Sequence, residues 1–551
     1  MAFASIQHDD ITFNGVSFAG GVISFINKDW NKRIIPLPMI MKVKEQESDA
    51  IVQISIQEFV NLSQVFHLVG DNEPSSLKIT RNLMLIARDE QSILNENNID
   101  DDDDIDGIDE FEDLHDKYFN QGCISHLLNL VVSYCVGLKT SKRKNGPTQH
   151  RHIPPADKET SILVDKIIEI NKLALTYDCS NDIRNAASLK KAKIYRPQLP
   201  NETRWSGIYL SLKAYLKMKS IWCIVPKLNN IIKTIDENHV NELFSFLHII
   251  YETSKATQYR NIPLSSWYGP LVAALLNRFG INITLKGLKT TYQEIYDIKN
   301  NKIKENFSWN ESLISFILDF MEEKMISVDM MSNPGKKLFH QLAIHLAFRF
   351  LPMDSACKVP DIYIMSTLAH PYSKSYIKIV LGLECTIKIQ EEYLQKSLKR
   401  FLPNHKIKKS LDIHDIDGVM EPLLIDEIEQ ESNIMHYIKY IPDLVDWNRI
   451  PSLKEIIKVI PKADPLLFWK NNTLFPEIKS LNMILMATDI SSAVTEGFFS
   501  TLKETITSRR QKLSPQLISK AVALRYIFNQ AKHQKISETL DNESDDDVSE
   551  E

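Results

Sequence analysis

The chain has 551 residues, 43% hydrophobic and 25% charged, which is ordinary for a folded protein and too long for one simple core, so two or three domains are expected. No apolar run reaches the roughly 18 residues of a membrane span, and Met1–Asp10 lacks the basic and apolar regions of a signal peptide. The six cysteines are scattered without a CxxC pair, which fits a reducing compartment. The net charge of -6 hides an uneven distribution. Asp100–Asp116 holds eleven acids and Asp541–Glu551 holds seven, neither with a Lys or Arg, and without those 18 the balance becomes +12. A basic body with two acidic, solvated segments suits a nucleic-acid binder, a test that many other proteins also pass.

In chain order, the first seventy residues read as strands. Phe3–Asp9 is short and partly alternating. Phe18–Ile26 and Arg33–Lys42 are rich in β-branched and apolar residues, with Asn27-Lys28-Asp29 as a turn between them. Ala50–Gln64 reads as a helix, and Val65–Asp71 as another strand running into a turn. Asn97–Asp116 is low in complexity and reads as a solvated loop. From about Leu127 to Ile484 the spacing predicts helix. In the run containing Leu313, Phe316, Ile317, Phe320 and Met321 the apolar positions recur at helical spacing, and Leu338, Leu342, Leu346 and Phe350 recur every four residues. Thr495–Arg510 and Gln516–Gln530 complete the helices, separated by Leu513-Ser514-Pro515.

Asp9 and Asp71 each close a short strand, and Glu496 opens a late helix. Three such carboxylates, brought together, form the hard oxygen donor set that divalent cations such as Mg²⁺ prefer. Acids in these places also simply cap turns, and residue type alone does not choose. Cys123 and His126 supply half a zinc site with no second pair at suitable spacing, so a structural role is expected. Arg204-Trp205 reads either as a stacking face beside a phosphate contact or as a core Trp with a surface Arg. The cluster from Lys139 to Lys144 reads equally as a nuclear signal, a DNA-backbone contact or a solvated linker.

The segment Asp464–Pro515 resembles the carboxy-terminal dimerisation signature of the hAT transposases. The matching parts are Trp469-Lys470, Asn472, Phe475-Pro476, Ser491-Ser492, the run Thr495 to Ser500, Arg509-Arg510 and Leu513-Ser514-Pro515. Three further matches arrive in family order: Val69-Gly70-Asp71-Asn72, Cys123 to His126 with the Leu-Leu-Asn-Leu that follows, and Thr203-Arg204-Trp205.

The resemblance implies an α/β ribonuclease-H-like domain interrupted by a large all-α insertion. Residues 1–95 and 118–136 would form the first domain, with an acidic loop at 96–117. The insertion would span 137–480, the catalytic helix and dimerisation region 481–532, and an acidic tail 533–551. It implies that Asp9, Asp71 and Glu496 hold two Mg²⁺ or Mn²⁺ ions, and that double-stranded DNA at transposon ends is the partner. It further implies strand cleavage with hairpin formation, self-association through the carboxy-terminal region, and a nuclear location. Arg204 and Trp205 would contact DNA, and Cys123 with His126 would be a structural motif.

The chain departs from the family pattern in places. Ile11 stands where an aromatic is usual, which leaves Asp10 as an alternative first acid, and Gly497 stands where an Arg is usual. The chain starts within ten residues of Asp9, so no amino-terminal BED-type zinc finger is expected. That favours a second reading, a degenerate or domesticated copy that binds DNA and dimerises without catalysis. Under the catalytic reading, Trp205→Ala should leave metal-dependent nicking largely intact and reduce hairpin closure, because an aromatic platform offsets roughly 1–3 kcal/mol of the cost of unstacking a base. Equal loss of both steps on a denaturing gel would instead mark Trp205 as a core residue.

Overall fold

The computed structural model describes residues 4–13, 16–37, 40–42, 65–70, 120–138, 157–197, 199, 206–259, 262–279, 314–319, 322–326, 330–350, 361–381, 386–402, 433–440, 453–505 and 517–528. The amino-terminal strands are β1 (Ala4–Phe13), β2 (Val16–Ile26), β3 (Lys32–Pro36), β4 (Ile40–Lys42) and β5 (Val65–Gly70), joined by β6 (Asn120–Gly122). The strand order is β3-β2-β1-β5-β6, with β4 also pairing with β2. β1, β2 and β3 run antiparallel, whereas β1, β5 and β6 run parallel. Strands stand at each expected place, the one expected over Arg33–Lys42 being found as two, β3 and β4, both paired with β2. The helix expected at Ala50–Gln64 and both acidic segments lie outside the described residues.

Asn27 shapes the β2–β3 turn. Its Oδ1 accepts from the backbone N–H of Asp29 at 3.1 Å and of Asn31 at 2.8 Å. Trp30 adopts φ 61°, a conformation that L side chains rarely take. Its indole is buried in the core beneath the ammonium of Lys479, 5.5 Å from the ring, and this burial offsets the local strain.

The helices follow as α1 (Ile124–Cys135), α2 (Lys158–Ala174), α3 (Tyr177–Leu189), α4 (Ser206–Trp222), α5 (Pro226–Ile232), α6 (Glu237–Ala256) and α7 (Ser265–Arg278). After a hairpin of β7 (Ile314–Asp319) and β8 (Glu322–Ile326) come α8 (Asn333–Phe350), α9 (Asp361–Ala369), α10 (Ile377–Leu381) and α11 (Ile387–Phe401). The last set is α12 (Asn433–Tyr440), α13 (Leu453–Val459), α14 (Pro465–Asn471), α15 (Pro476–Leu485), α16 (Ala493–Thr505) and a helix over 517–528, here α17. Capping residues start several of them. Asp157 accepts from the N–H groups of Glu159 and Thr160, Asp236 from Asn238, and Asp464 from Leu466 with Pro465 in the first helical position.

The hairpin corrects one expectation. Leu313–Met321 was expected to be helical, yet Ile314–Asp319 pairs antiparallel with Glu322–Ile326. A short apolar run rich in Ile and Phe satisfies either period, and its partner strand decides. Among the described residues from Leu127 to Ile484 it is the one pair of strands.

α8 is anchored at both ends. Leu338, Leu342, Leu346 and Phe350 are buried as the four-residue spacing requires. His345 stacks on Tyr134 of α1 at 5.9 Å between centroids, and Arg349 lies 5.3 Å over the same ring. At its amino-terminal end, the buried Glu242 carboxylate of α6 accepts from the N–H of Ser332 at 2.7 Å and from the Ser332 hydroxyl. Gly335 lies so close that a β-carbon there would collide with the Glu242 carboxylate. Gly335→Ala should therefore destabilise the fold by about 1–3 kcal/mol through overpacking. A melting temperature unchanged from wild type would show that the carboxylate moves aside freely.

Candidate functional site

The sheet and α16 meet although one comes from the start of the chain and the other from near its end. On β2, Phe18 and Val22 are buried against Val494, Phe498, Phe499 and Leu502 of α16 and Val522 and Tyr526 of α17. Residues alternate across a strand, so Gly20 shares that face. The ladder pairs Gln7 with Val22 and Asp9 with Gly20. Thr495, buried at the start of α16, donates from Oγ1 to Gln7 Oε1 at 3.4 Å. Glu496 follows in the first turn, half-buried at the edge of the apolar stripe.

Asp9 stands inside β1, which continues to Phe13, and not at its end as expected. Ile11, Thr12 and Phe13 extend the ladder with β2, and such β-branched and aromatic residues favour a pleated strand. The side chains of Asp9 and Asp10, together with Asp71, Arg204 and Trp205, lie outside the described residues. Among the described residues, no group of three or more His, Cys, Asp and Glu is gathered to hold a metal ion.

Cys123 and the start of α1 are tied to the segment that precedes α16. The Cys123 sulfur accepts from the N–H of Ser492 at 3.2 Å, and the thiol points to Ser491 Oγ at 3.7 Å. The N–H of Ile124 donates to the Ile490 carbonyl at 3.1 Å. Ser125 Oγ lies 3.2 Å from Ser491 Oγ and 3.1 Å from Thr257 Oγ1 of α6's trailing residue. Burial pushes the Cys123 thiol pKa up, which keeps it a neutral thiol that fastens the chain. His126 is half-buried on α1, one turn from Cys123.

Beside this junction lies a polar network that sequence reasoning missed. Lys32, at the start of β3, pairs with Asp489 at 2.5 Å, and both side chains are almost fully buried. His67 of β5 is fully buried, with Nδ1 3.1 Å from Ser5 Oγ and Nε2 3.4 Å from the Tyr363 hydroxyl. Tyr363 OH also donates to the Asp489 carbonyl at 3.4 Å. The one signal for it was a histidine in the apolar run of β5; nothing in the sequence marked Lys32 or Asp489 as partners.

Comparison with known families adds one finding. Residues 430–527 match the hAT family C-terminal dimerisation region. No curated protein matches the chain. The hAT-type dimerisation region therefore comprises α12 to α17. It is built into the core, because Tyr437, Trp469 and Phe475 are buried, with the Tyr437 ring 5.7 Å from Trp469 and 5.4 Å from Phe475. Tyr437 OH donates to the Ala369 carbonyl at 2.9 Å, and Asn482 Nδ2 to the same carbonyl at 2.8 Å. Ser265 Oγ donates to the Leu485 carbonyl at 2.8 Å.

Burial lowers the His67 pKa from about 6.5 to about 4, against the opposing charge of Asp489. The unfolded chain thus binds this proton more readily than the folded one. Its contribution is complete above about pH 6.5 and is lost as pH falls toward 4, at up to about 1.4 kcal/mol per pH unit. Thermal melts from pH 7 to 4.5 should show a steeper fall in stability for wild type than for His67→Gln. Parallel curves would place the acid sensitivity elsewhere.

Proposed function

We propose that this is a transposase-derived protein that binds DNA and self-associates through its hAT-type carboxy-terminal region. The match over residues 430–527 carries the reading. Most of that region's large apolar side chains are committed to the core, but α17 keeps Leu517, Leu524, Ile527 and Phe528 exposed among the described residues. Spaced along one helix, they offer an apolar face whose natural occupant is a second copy of the chain. DNA binding and a nuclear location follow from the transposase resemblance and from the basic balance of the chain outside its two acidic segments.

Metal-dependent strand cleavage is a second reading, favoured by the ladder register. β1 and β5 are parallel, with Ser5 opposite His67 and Gln7 opposite Val69. Continued by two residues, that register would set Asp9 beside position 71, on the face against which α16 packs. Glu496 enters from that helix, and Gly20 opposite Asp9 adds no side chain to the space. Asp9, Asp71 and Glu496 would then form an all-oxygen donor set suited to Mg²⁺ or Mn²⁺. Bound there, such ions would supply activation of a water and charge stabilisation at a phosphodiester. Asp10 falls on the opposite parity of β1, which favours Asp9 as the first acid.

Light scattering coupled to size exclusion should show a dimer or larger species at micromolar concentration, converted to monomer by Leu524→Glu with Phe528→Glu. A wild-type monomer would defeat the self-association reading. Nicking of a supercoiled plasmid in Mg²⁺ or Mn²⁺, lost in Glu496→Gln at unchanged melting temperature, would raise the catalytic reading above the binding one. Identical plasmid profiles for wild type and variant would leave DNA binding without cleavage as the function.

A further inference from the structure

One stretch of the helical region carries charge of almost a single sign. Between Ile183 and Ile235 stand eleven Lys or Arg residues and a single acid, Glu202, in a protein whose net charge is -6. The fold gathers much of this charge on one ridge. The chain leaves α3 through Lys191 at φ 51° and turns back along the carboxy-terminal half of α4. Lys190 Nζ donates to the Ser220 carbonyl at 2.8 Å, and the N–H of Tyr195 meets the Met218 sulfur at 3.1 Å. Lys217 of α4 sits 4.7 Å from the centre of the Tyr195 ring. Arg184, Lys190, Lys191, Lys193, Arg196 and Lys217 are thereby set exposed along this ridge.

A solvated charged face ordinarily mixes both signs, because like charges repel and opposite ones offset that cost. Here, among the described residues, Lys219 pairs with Glu237 and Lys227 with Asp178, both carboxylates lying just outside the tract. Among the described residues, Lys191, Lys193 and Arg196 meet no carboxylate. Their repulsion is left to water and counterions, which a bound polyanion would replace.

We propose that the ridge formed by residues 190–196 and the exposed edge of α4 is a binding surface for the phosphodiester backbone of nucleic acid. This rests on the DNA-binding reading above and names the surface that carries it. Past the turn at Lys191, the run from Ala192 to Arg196 covers at most about 14 Å, over which one DNA strand presents about four phosphates. Tyr195 beneath Lys217 holds one cation in place. The sequence then continues to Arg204, one more cation of the same tract. Such contacts neutralise charge without reading bases, so binding is independent of sequence and sensitive to salt.

The test is fluorescence anisotropy with the full chain, using a labelled duplex of about 20 base pairs, a single strand of the same length, and a poly-glutamate peptide. The variant is Lys191→Gln with Lys193→Gln and Arg196→Gln. Its control is Lys454→Gln with Lys458→Gln and Lys462→Gln, three exposed lysines on and after α13. Both should melt as wild type does. The ridge variant should bind duplex at least about ten-fold more weakly at low salt. Its plot of log affinity against log salt should be shallower by about 2 to 3, near 0.9 per lost phosphate contact. If the single strand is the preferred ligand, a slope change near 2 (about 0.7 per contact) supports the same surface. Equal losses in ridge and control variants would overturn the ridge while leaving DNA binding intact. Failure of the wild type to bind either nucleic acid would overturn the DNA-binding reading with it. Ridge-dependent capture of poly-glutamate in preference to DNA would replace nucleic acid with an acidic protein partner.

Discussion

The segment from Asp489 to Glu496 is the constraint on which the rest depends. Within eight residues it pairs with Lys32, accepts from the N–H of Ile124, donates a backbone N–H to Cys123 and reaches Gln7 through Thr495. Its partners thus come from β1, β3 and the start of α1, hundreds of residues earlier in the chain. Without it the sheet would present Phe18 and Val22 to water and α16 would have no surface to pack on. A buried ion pair such as Lys32–Asp489 adds little net stability, since desolvation of both charges opposes their attraction. Its value lies in register: a segment shifted by one residue would bury an unpaired charge, at a cost of several kcal/mol.

This closure alters what a dimerisation region means here. In a separable module, changing the signature residues would weaken association and leave the monomer folded. In this chain Trp469, Tyr437 and Phe475 are part of the main core, and Asn482 and Tyr437 converge on the end of α9. Replacing Trp469 by Ala would remove a buried aromatic, which typically costs 3–5 kcal/mol or about that, and so unfold the monomer before it could test the interface. The residues that recur in the signature therefore report folding as much as pairing. Association is left to side chains the core does not use, and α17 carries four of those that remain exposed among the described residues.

Much of this was legible from residue patterns, and the gaps have physical causes. The strands around Val22, Ile34 and Val69 carry β-branched runs, and the spacing of Leu338 to Phe350 fixed a buried helix face. Both are local signals. The β7–β8 hairpin was not legible, because Ile314 to Ile317 fits either period until its partner strand is known. Asp9 was placed at a strand end because the three residues after Asp10 were not recognised as ladder. The network of Ser5, Gln7, His67 and Asp489 was invisible for a different reason. Polar residues on a strand read as solvent-facing, and only the arrival of Tyr363 and Thr495 from distant sequence buries them. Cys123 was recognised as part of a motif, but its role as an anchor required the segment at Ile490 to Ser492.

The same register bears on whether the protein cuts DNA or only holds it. On β1 the odd positions Ser5 and Gln7 are buried, Ser5 Oγ beside His67 and Gln7 Oε1 accepting from Thr495. Position 9 continues that row between two pairs, Gln7 with Val22 and Ile11 with Phe18, whose β2 members pack against α16 and α17. On that row Gln7 Oε1 accepts from Thr495 while its buried Nε2 is a donor without a partner among the described residues, and Glu496 stands at the start of the same helix. Under the catalytic reading, acids brought together there would raise the cost of leaving both charged, and a divalent cation would offset it. If only closure mattered, a neutral polar residue at position 9 would serve the ladder equally well.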